Sequence, residues 1–278
     1  MIRLVHIELY KLFSSARTYM TLAIGVFLML IINLGLYTDG EKIFDFLLES
    51  INEYFLVQGK VVNGYLITYL ALNTLWVHIP ILIVIVAAHI FSSEFEMGTI
   101  RLLLTQPISR RHLFFAKLIA MIVFNTCFML LVSLAAFIPA LLLFGKGDVI
   151  VFIDGIQFVQ EATFMGRLIY ALLFATLAMI AFSCLSMFFG LVFKNTLTSI
   201  LLSLGLLIMF TLLQKFIFGI FSAWQPFIFT YHFAKWQMFF VNDIPVASIL
   251  SSVYFLTGMC LVFILLSWVK FEKMNISE

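Results

Sequence analysis

The sequence predicts an all-α polytopic membrane protein with six transmembrane helices, and three observations carry that reading. Of its 278 residues 64% are hydrophobic and 17% aromatic, with 33 Phe and a mean hydropathy of +1.15, whereas soluble domains are roughly half apolar. Six stretches, 18–37, 65–91, 116–144, 167–193, 197–221 and 247–269, reach the about 20 helical residues that cross a hydrocarbon core. Charged residues are only 11% of the chain and gather mainly between those stretches.

Residues 2–14 precede the first span and read as an amphipathic helix. Ile2, Val5, Leu9, Leu12 and Phe13 share one side and Arg3, His6, Glu8 and Lys11 the other, which suits a helix lying in the membrane interface. The run after Arg17 is too long for a cleaved signal peptide and lacks a small-residue cleavage site before Tyr37.

The first loop, 38–64, opens with Thr38 and Glu41 at capping-box spacing. Glu41, Asp45, Glu49 and Glu53 then recur every fourth residue opposite Phe44, Leu47, Leu48, Ile51 and Phe55. Like charges four apart weaken an isolated helix, so contact along the apolar side must hold it. The acidic face is read either as a plain solvated face or as a lip that attracts a cationic substrate or an outer-face partner protein.

In the second span, His78 and His89 nearly eclipse one another but are separated by roughly 16 Å of rise, too far to share a metal ion. Polar and ionisable groups inside a membrane are candidates for a pathway, so Asn73 and His78, with Asn125 of the third span, are candidate substrate-pathway residues. The competing role for His78 is a neutral hydrogen bond to a neighbouring helix, and Pro80 is expected to kink the span.

Between spans two and three lies a polar island, Ser92 to Lys117, reading SSEFEMGTIRLLLTQPISRRHLFFAK. Gly98 is placed to stop the preceding helix because glycine tolerates positive φ. Thr99 can cap a new turn, Ile100 to Thr105, with Ile100, Leu103 and Leu104 on one side and Arg101 on the other. Pro107 pushes Gln106 out of helical geometry, and Ser109 is an N-cap for the helix that Arg110 opens.

Beyond the third span, within the loop 145–166, an Asp-Gly flanked by β-branched and aromatic residues predicts a β-hairpin over 148–160. Along the fourth span Ala171, Ala175, Ala178, Ala181, Ser186 and Gly190 recur at three- to five-residue intervals, which allows close helix approach either within the chain or between two copies. The loop 222–246 contains WQPFIFTYHFAKWQMFF, an aromatic belt at a headgroup zone or a segment dipping back into the membrane. Cys127, Cys184 and Cys260 fall singly in three spans and read as small buried hydrophobes.

Charge sets the orientation. With the N-terminus inside, ten of the 16 lysines and arginines lie on the cytoplasmic side, so both termini and the polar island are expected in the cytosol. A net charge of +2 without a basic patch argues against nucleic-acid binding.

The island resembles the first cytoplasmic loop of ABC-2 type transporter permeases, the membrane subunits of ATP-driven exporters, in its acidic helix end, Gly-Thr break, leucine-rich coupling helix, proline and Ser-Arg start to the next span. The turn SMFFGLVFKNTLTS at 186–199 is similar to the same family more weakly. The resemblance implies a single permease domain over 1–278, an elbow helix at 2–14 and a coupling loop at 92–115. It implies that Glu94, Glu96, Gly98, Thr99, Ile100, Arg101, Leu103, Leu104, Pro107, Ser109 and Arg110 form the joint with a cytosolic ABC ATPase subunit. It also implies a permease homodimer in the cell's inner membrane that exports an amphiphilic substrate. ATP and Mg would be held by the partner: this chain has no cofactor of its own and no G-x-x-x-x-G-K-[ST].

No H-E-x-x-H, G-x-S-x-G or metal-ligand cluster is present, so no catalytic or metal residue is assigned and the chain is not expected to be an enzyme. No Asp or Glu falls within the six predicted spans, which weighs against a gradient-driven transporter. The alternative function is an ABC-like scaffold that transmits force, in metalloenzyme maturation or motility, without translocating a small molecule.

Overall fold

In hydrocarbon an amide has only other amides to bond, so long apolar runs become helices. The computed structural model describes residues 1–52, 62–100, 108–153, 155–216 and 222–274. In order come α1 (Ile2–Phe13), α2 (Ala16–Asn52), α3 (Gly64–Leu75), α4 (His78–Glu96), α5 (Arg110–Phe144), strands β1 (Val149–Phe152) and β2 (Ile156–Val159), α6 (Glu161–Phe193), α7 (Thr196–Phe216), α8 (Phe229–Phe233) and α9 (Val246–Glu272). Among the described residues six helices are long and apolar enough to cross a membrane: α4, α5, α6, α9 and the parts Ala16–Gly40 of α2 and Thr196–Gln214 of α7. This is an all-α polytopic membrane protein with, among the described residues, one small two-stranded sheet.

The spans are not equally enclosed. The most apolar windows of α4 and α6 are 72% and 61% buried inside the protein, against 22% for α2, α7 and α9, so α4 and α6 form the centre and those three the rim. The small residues of α6 serve this packing: Ala171, Ala175, Ala178, Ala181, Ser186 and Gly190 are all buried. A Cβ on Gly190 would come within 3.2 Å of the Ala88 carbonyl of α4. The stripe is therefore an intrachain seam.

Three expectations are corrected. The second span is not one kinked helix, because α3 ends at Leu75 and α4 starts at His78. Pro80 occupies the first turn of α4, where its missing N–H has no intrahelical partner to lose. Thr38 does not open a new helix: α2 runs unbroken through it, and its hydroxyl donates back to the Gly35 carbonyl at 3.0 Å. Glu53, and the side chains of Glu41, Asp45 and Glu49, lie outside the described residues. Finally, α1 does not turn its whole polar side outward, since Glu8 is buried with Leu12 against the bundle.

α5 has 35 residues, a length of about 52 Å against a hydrocarbon core of about 30 Å, so it projects well beyond the membrane. Inside it Pro139 deprives the Ala135 carbonyl of its helical donor, and the Asn33 amide of α2 approaches that oxygen at 3.4 Å.

The end of the bundle at Phe144 is tied together by side-chain caps. Asn63 accepts from the backbone N–H of Tyr65 and Leu66, both at 3.1 Å, and donates to the Asp148 carbonyl at 2.6 Å. At Gly64 a Cβ would meet the Ala140 and Gly145 carbonyls at 2.6 and 2.7 Å, so only glycine allows α3 this close to α5. The expected hairpin is present, antiparallel with Val149 opposite Val159 and Phe152 opposite Ile156, and Gly155 takes φ +121°. Asp154 lies outside the described residues.

The aromatic loop packs into the bundle from Phe229 to Phe240, while Trp224 and Phe227 before it stay exposed. It forms a 3-10 turn at Ser222–Phe227, then α8, then a second 3-10 turn at Ala234–Phe240. Phe229 and Phe233 meet Phe182 of α6 at 6.1 and 6.0 Å, and Trp236 meets Tyr69 and Trp76 at 5.8 and 5.2 Å. Further along, Arg167 of α6 donates to the carbonyls of Phe239 and Val241. From Phe182 to Arg167 is a climb of roughly 22 Å along the helix, so the segment dips deep beside α6 and returns. Irregular backbone at that depth is stable because protein surrounds it. Trp236 plugs the gap between α3 and α4, where the Gln237 amide also reaches Asn73 Oδ1.

Candidate functional site

The polar island leaves the bundle through a glycine. α4 runs on past Phe91 to Glu96, Gly98 takes φ +67° with its N–H on the Phe95 carbonyl at 3.1 Å, and the chain is helical again at Thr99 and Ile100. The Thr99 hydroxyl donates back to the Glu94 carbonyl at 3.4 Å, and the N–H groups it would cap lie outside the described residues. Ile100 is buried. Arg101 to Pro107, including Leu103 and Leu104, lie outside the described residues. On the far side Ser109 is the N-cap of α5, accepting from the His112 N–H at 3.3 Å.

Both ends of the island are braced by ionic and polar contacts that tie five helices together. Lys117 of α5, only 2% exposed, donates to Glu8 Oε2 of α1 at 3.0 Å and the Ile90 carbonyl at 3.2 Å, and its ammonium lies 2.8 Å from Glu94 Oε1 of α4. Lys11 completes the group, 2.9 Å from Glu8 Oε1 and 3.1 Å from Glu94 Oε1. Two carboxylates and two ammoniums balance within one cluster, the condition under which charge tolerates burial. Glu94 Oε2 is the exception, buried with no hydrogen-bond partner among the described residues. A cavity of about 70 Å³ beside the cluster is lined by Ser15, Thr18, His89 and Ser93 as well as by the four charged residues.

Charge and burial oppose one another on α1. Burial would raise the Glu8 carboxyl, but Lys117 and Lys11 hold it below the ordinary value. Burial would lower the Lys11 ammonium, and the two carboxylates reverse that and raise it. Both shifts favour the charged pair.

Glu96 does separate work. Its carboxylate accepts from the backbone N–H of Thr196 at 2.6 Å and from the Thr196 hydroxyl at 2.8 Å, placing an anion on the N-terminus of α7, where the helix dipole favours it. Ser92 joins the same knot through the Thr196 hydroxyl at 2.7 Å. Arg110 reaches across to α9, donating to the carbonyls of Glu272 and Met274 at 2.7 and 3.0 Å, which would otherwise be unpaired at a helix end. Thus the side chains of Glu94, Glu96 and Arg110 are engaged inside the chain and brace the loop.

The three pathway candidates are not brought together. Asn73 and His78 are exposed on either side of the α3–α4 gap, and His78 has no hydrogen bond among the described residues. Asn125 is buried between α5 and α6, accepting from Ser183 at 3.1 Å. Among the described residues no group of three or more His, Cys, Asp or Glu side chains could hold a metal ion.

Sequence reasoning missed Glu8, Lys11, Lys117, Arg17, His89 and Thr196. Lys117 was visible as a lone cation at the head of an apolar run, a signal that asks for a partner. Arg17, which donates to the His89 ring, gave no comparable sign.

A family model described as ABC-2 family transporter protein matches residues 12–276. Among curated proteins the chain is 26% identical over 204 residues to the Uncharacterized protein YhcI of Bacillus subtilis (strain 168); the alignment covers 70% of this chain and 64% of that protein, so the match spans just under two thirds of the relative's length.

Proposed function

The chain belongs to the ABC-2 family of transporter proteins, and from that premise we propose that it is the membrane permease subunit of an ATP-driven exporter. Family membership implies an ATP-binding partner subunit. In this reading two copies of the chain pair with two cytosolic ATPase subunits in the inner membrane, both termini face the cytosol, and an amphiphilic substrate moves outward. The chain has no ATPase site of its own; ATP and Mg belong to the partner.

The observation that carries the coupling assignment is the bracing of the loop. A segment that transmits force needs stiff attachments at both ends, since interfaces convert small shifts into discrete rearrangements only when packed elements resist deformation. Here one end is anchored by Glu94 to α1 and α5 and by Glu96 to α7, and the other by Arg110 to α9. Contact with the ATPase then falls to the segment between, with Leu103 and Leu104 in an apolar cleft of the partner and Arg101 on its polar rim. Closure of the ATPase dimer would push this segment, and α4 and α5 would carry the displacement into the bundle.

The test is co-reconstitution with the ATPase and the substitution Arg101→Glu. We expect ATP hydrolysis and folding to persist while transport falls at least tenfold. Unchanged transport together with unchanged ATPase association would remove Arg101 from the joint. ATP turnover stimulated by an outer-face protein, with no flux of any amphiphile, would instead favour a force-transmitting scaffold.

A further inference from the structure

Between α6 and α9, at the end of the bundle that carries the coupling loop, lies a groove of about 490 Å³ lined by Phe188, Val192, Leu265, Leu266 and Val269 and flanked by Lys270 and Lys273. Its volume falls within the about 300–1,000 Å³ of small-molecule sites. Both lysines are exposed and neither makes a hydrogen bond or ion pair among the described residues. A cation at a helix C-terminus is commonly explained by the terminal carbonyls, but here Arg110 already occupies those of Glu272 and Met274. Glu272 shares the turn without lining the groove. Two unspent cations therefore stand where an apolar slot ends.

We propose that this groove binds an anionic phospholipid, one acyl chain lying along Leu265, Leu266 and Val269 and the phosphate held between Lys270 and Lys273. The chemistry matches both halves of the ligand: basic residues beside an inter-helix pocket recognise acidic headgroups, and large side chains give the chain an apolar bed. A second copy of the protein is a poorer occupant. A two-fold contact would set the same lysines of both copies near one another, and close helix pairing in membranes favours small residues, whereas Phe, Val and Leu line this slot. Because Arg110 joins α9 to the start of α5, a lipid seated here touches an element fastened to the coupling loop.

The experiment is native mass spectrometry of the full chain in detergent, titrated with phosphatidylglycerol or phosphatidylcholine of identical acyl chains. Detergent abolishes leaflet asymmetry, so the result does not depend on the orientation or on the proposed transport function. At roughly fivefold for each lysine, the wild type should retain phosphatidylglycerol over phosphatidylcholine by about twenty-fivefold. The double variant K270A/K273A should lose that preference, and Val269→Trp, which fills the slot with both lysines intact, should lose retention of both lipids. Equal retention by the wild type, a preserved preference in the double alanine variant, or unchanged binding by Val269→Trp would each overturn the site. Both lysines are exposed, so the alanine variant still decides the matter if the tryptophan variant fails to fold.

Discussion

Lys117 is held at 2% exposure by two carboxylates and a backbone carbonyl, and an ammonium in that position is stable only while they remain. Removing one partner of a buried ion cluster costs about 3–5 kcal/mol, because the remaining charges stay buried without compensation. Lys117→Met should therefore destabilise the protein by that amount, leaving Glu8 and Glu94 to share Lys11. Adding Glu94→Gln should recover part of the loss, since it removes the excess negative charge and leaves an amide that can still accept. Thermal unfolding in detergent measures both variants. A Lys117→Met protein within about 1 kcal/mol of wild type, or no recovery on adding Glu94→Gln, would show that the cluster is not what holds α1, α4 and α5 together.

For whole elements, the docking of α1 depends on ionisation in a way whose sign can be worked out. The Glu8 carboxyl is lowered from 4.5 in the folded protein, so its contribution is complete above about pH 4.5 and fades as pH falls through the lower folded value. The Lys11 ammonium is raised from 10.5, so its contribution is complete below that pH and fades as pH rises through the higher folded value. Docking should be constant across the neutral range and weaken only at the extremes. A spin label at Tyr10→Cys, with Cys127, Cys184 and Cys260 replaced by Ala, should show constant mobility from about pH 5 to 9 and greater mobility only once the pH has fallen below the ordinary carboxylate value of 4.5. A rise already near pH 6 would point to a histidine and refute the assignment to Glu8. The helical period of α1 was legible in its residues, but the inward turn of Glu8 was not. A face is set by neighbours, and Glu8 meets Lys117 across 109 residues of sequence. The same limit explains Glu96 and Thr196, whose separation of 100 residues leaves no periodic trace. Gly98 and Ser109 were legible because backbone geometry and capping are local.

Across the whole molecule, the six membrane helices followed from apolar length alone, since a bilayer imposes one thickness on every span. The gap at Trp76 and Val77 did not, because it is made by Trp236 and Gln237 packing from a distant loop. Once the alanines of α6 are assigned to an intrachain seam, the proposed homodimer needs another surface, and α7 offers one. Leu201, Leu202, Ile208 and Met209 are exposed on it three and four residues to either side of Gly205, with Leu212 a turn further on, and the absent Cβ of Gly205 would meet nothing within 4 Å. A glycine at the centre of an exposed helix face lets another backbone approach closely. Gly205→Leu should therefore leave the protomer's thermal stability nearly unchanged, because the added side chain has open space in the chain, while it lowers the dimer fraction measured by light scattering at matched detergent concentration. The helix-propensity gain of leucine over glycine, about 1 kcal/mol, works in favour of the protomer, so lost dimer cannot be ascribed to unfolding. A variant that keeps the wild-type dimer fraction would remove this face of α7 from the contact and leave the exposed side of α2 as the next surface to vary.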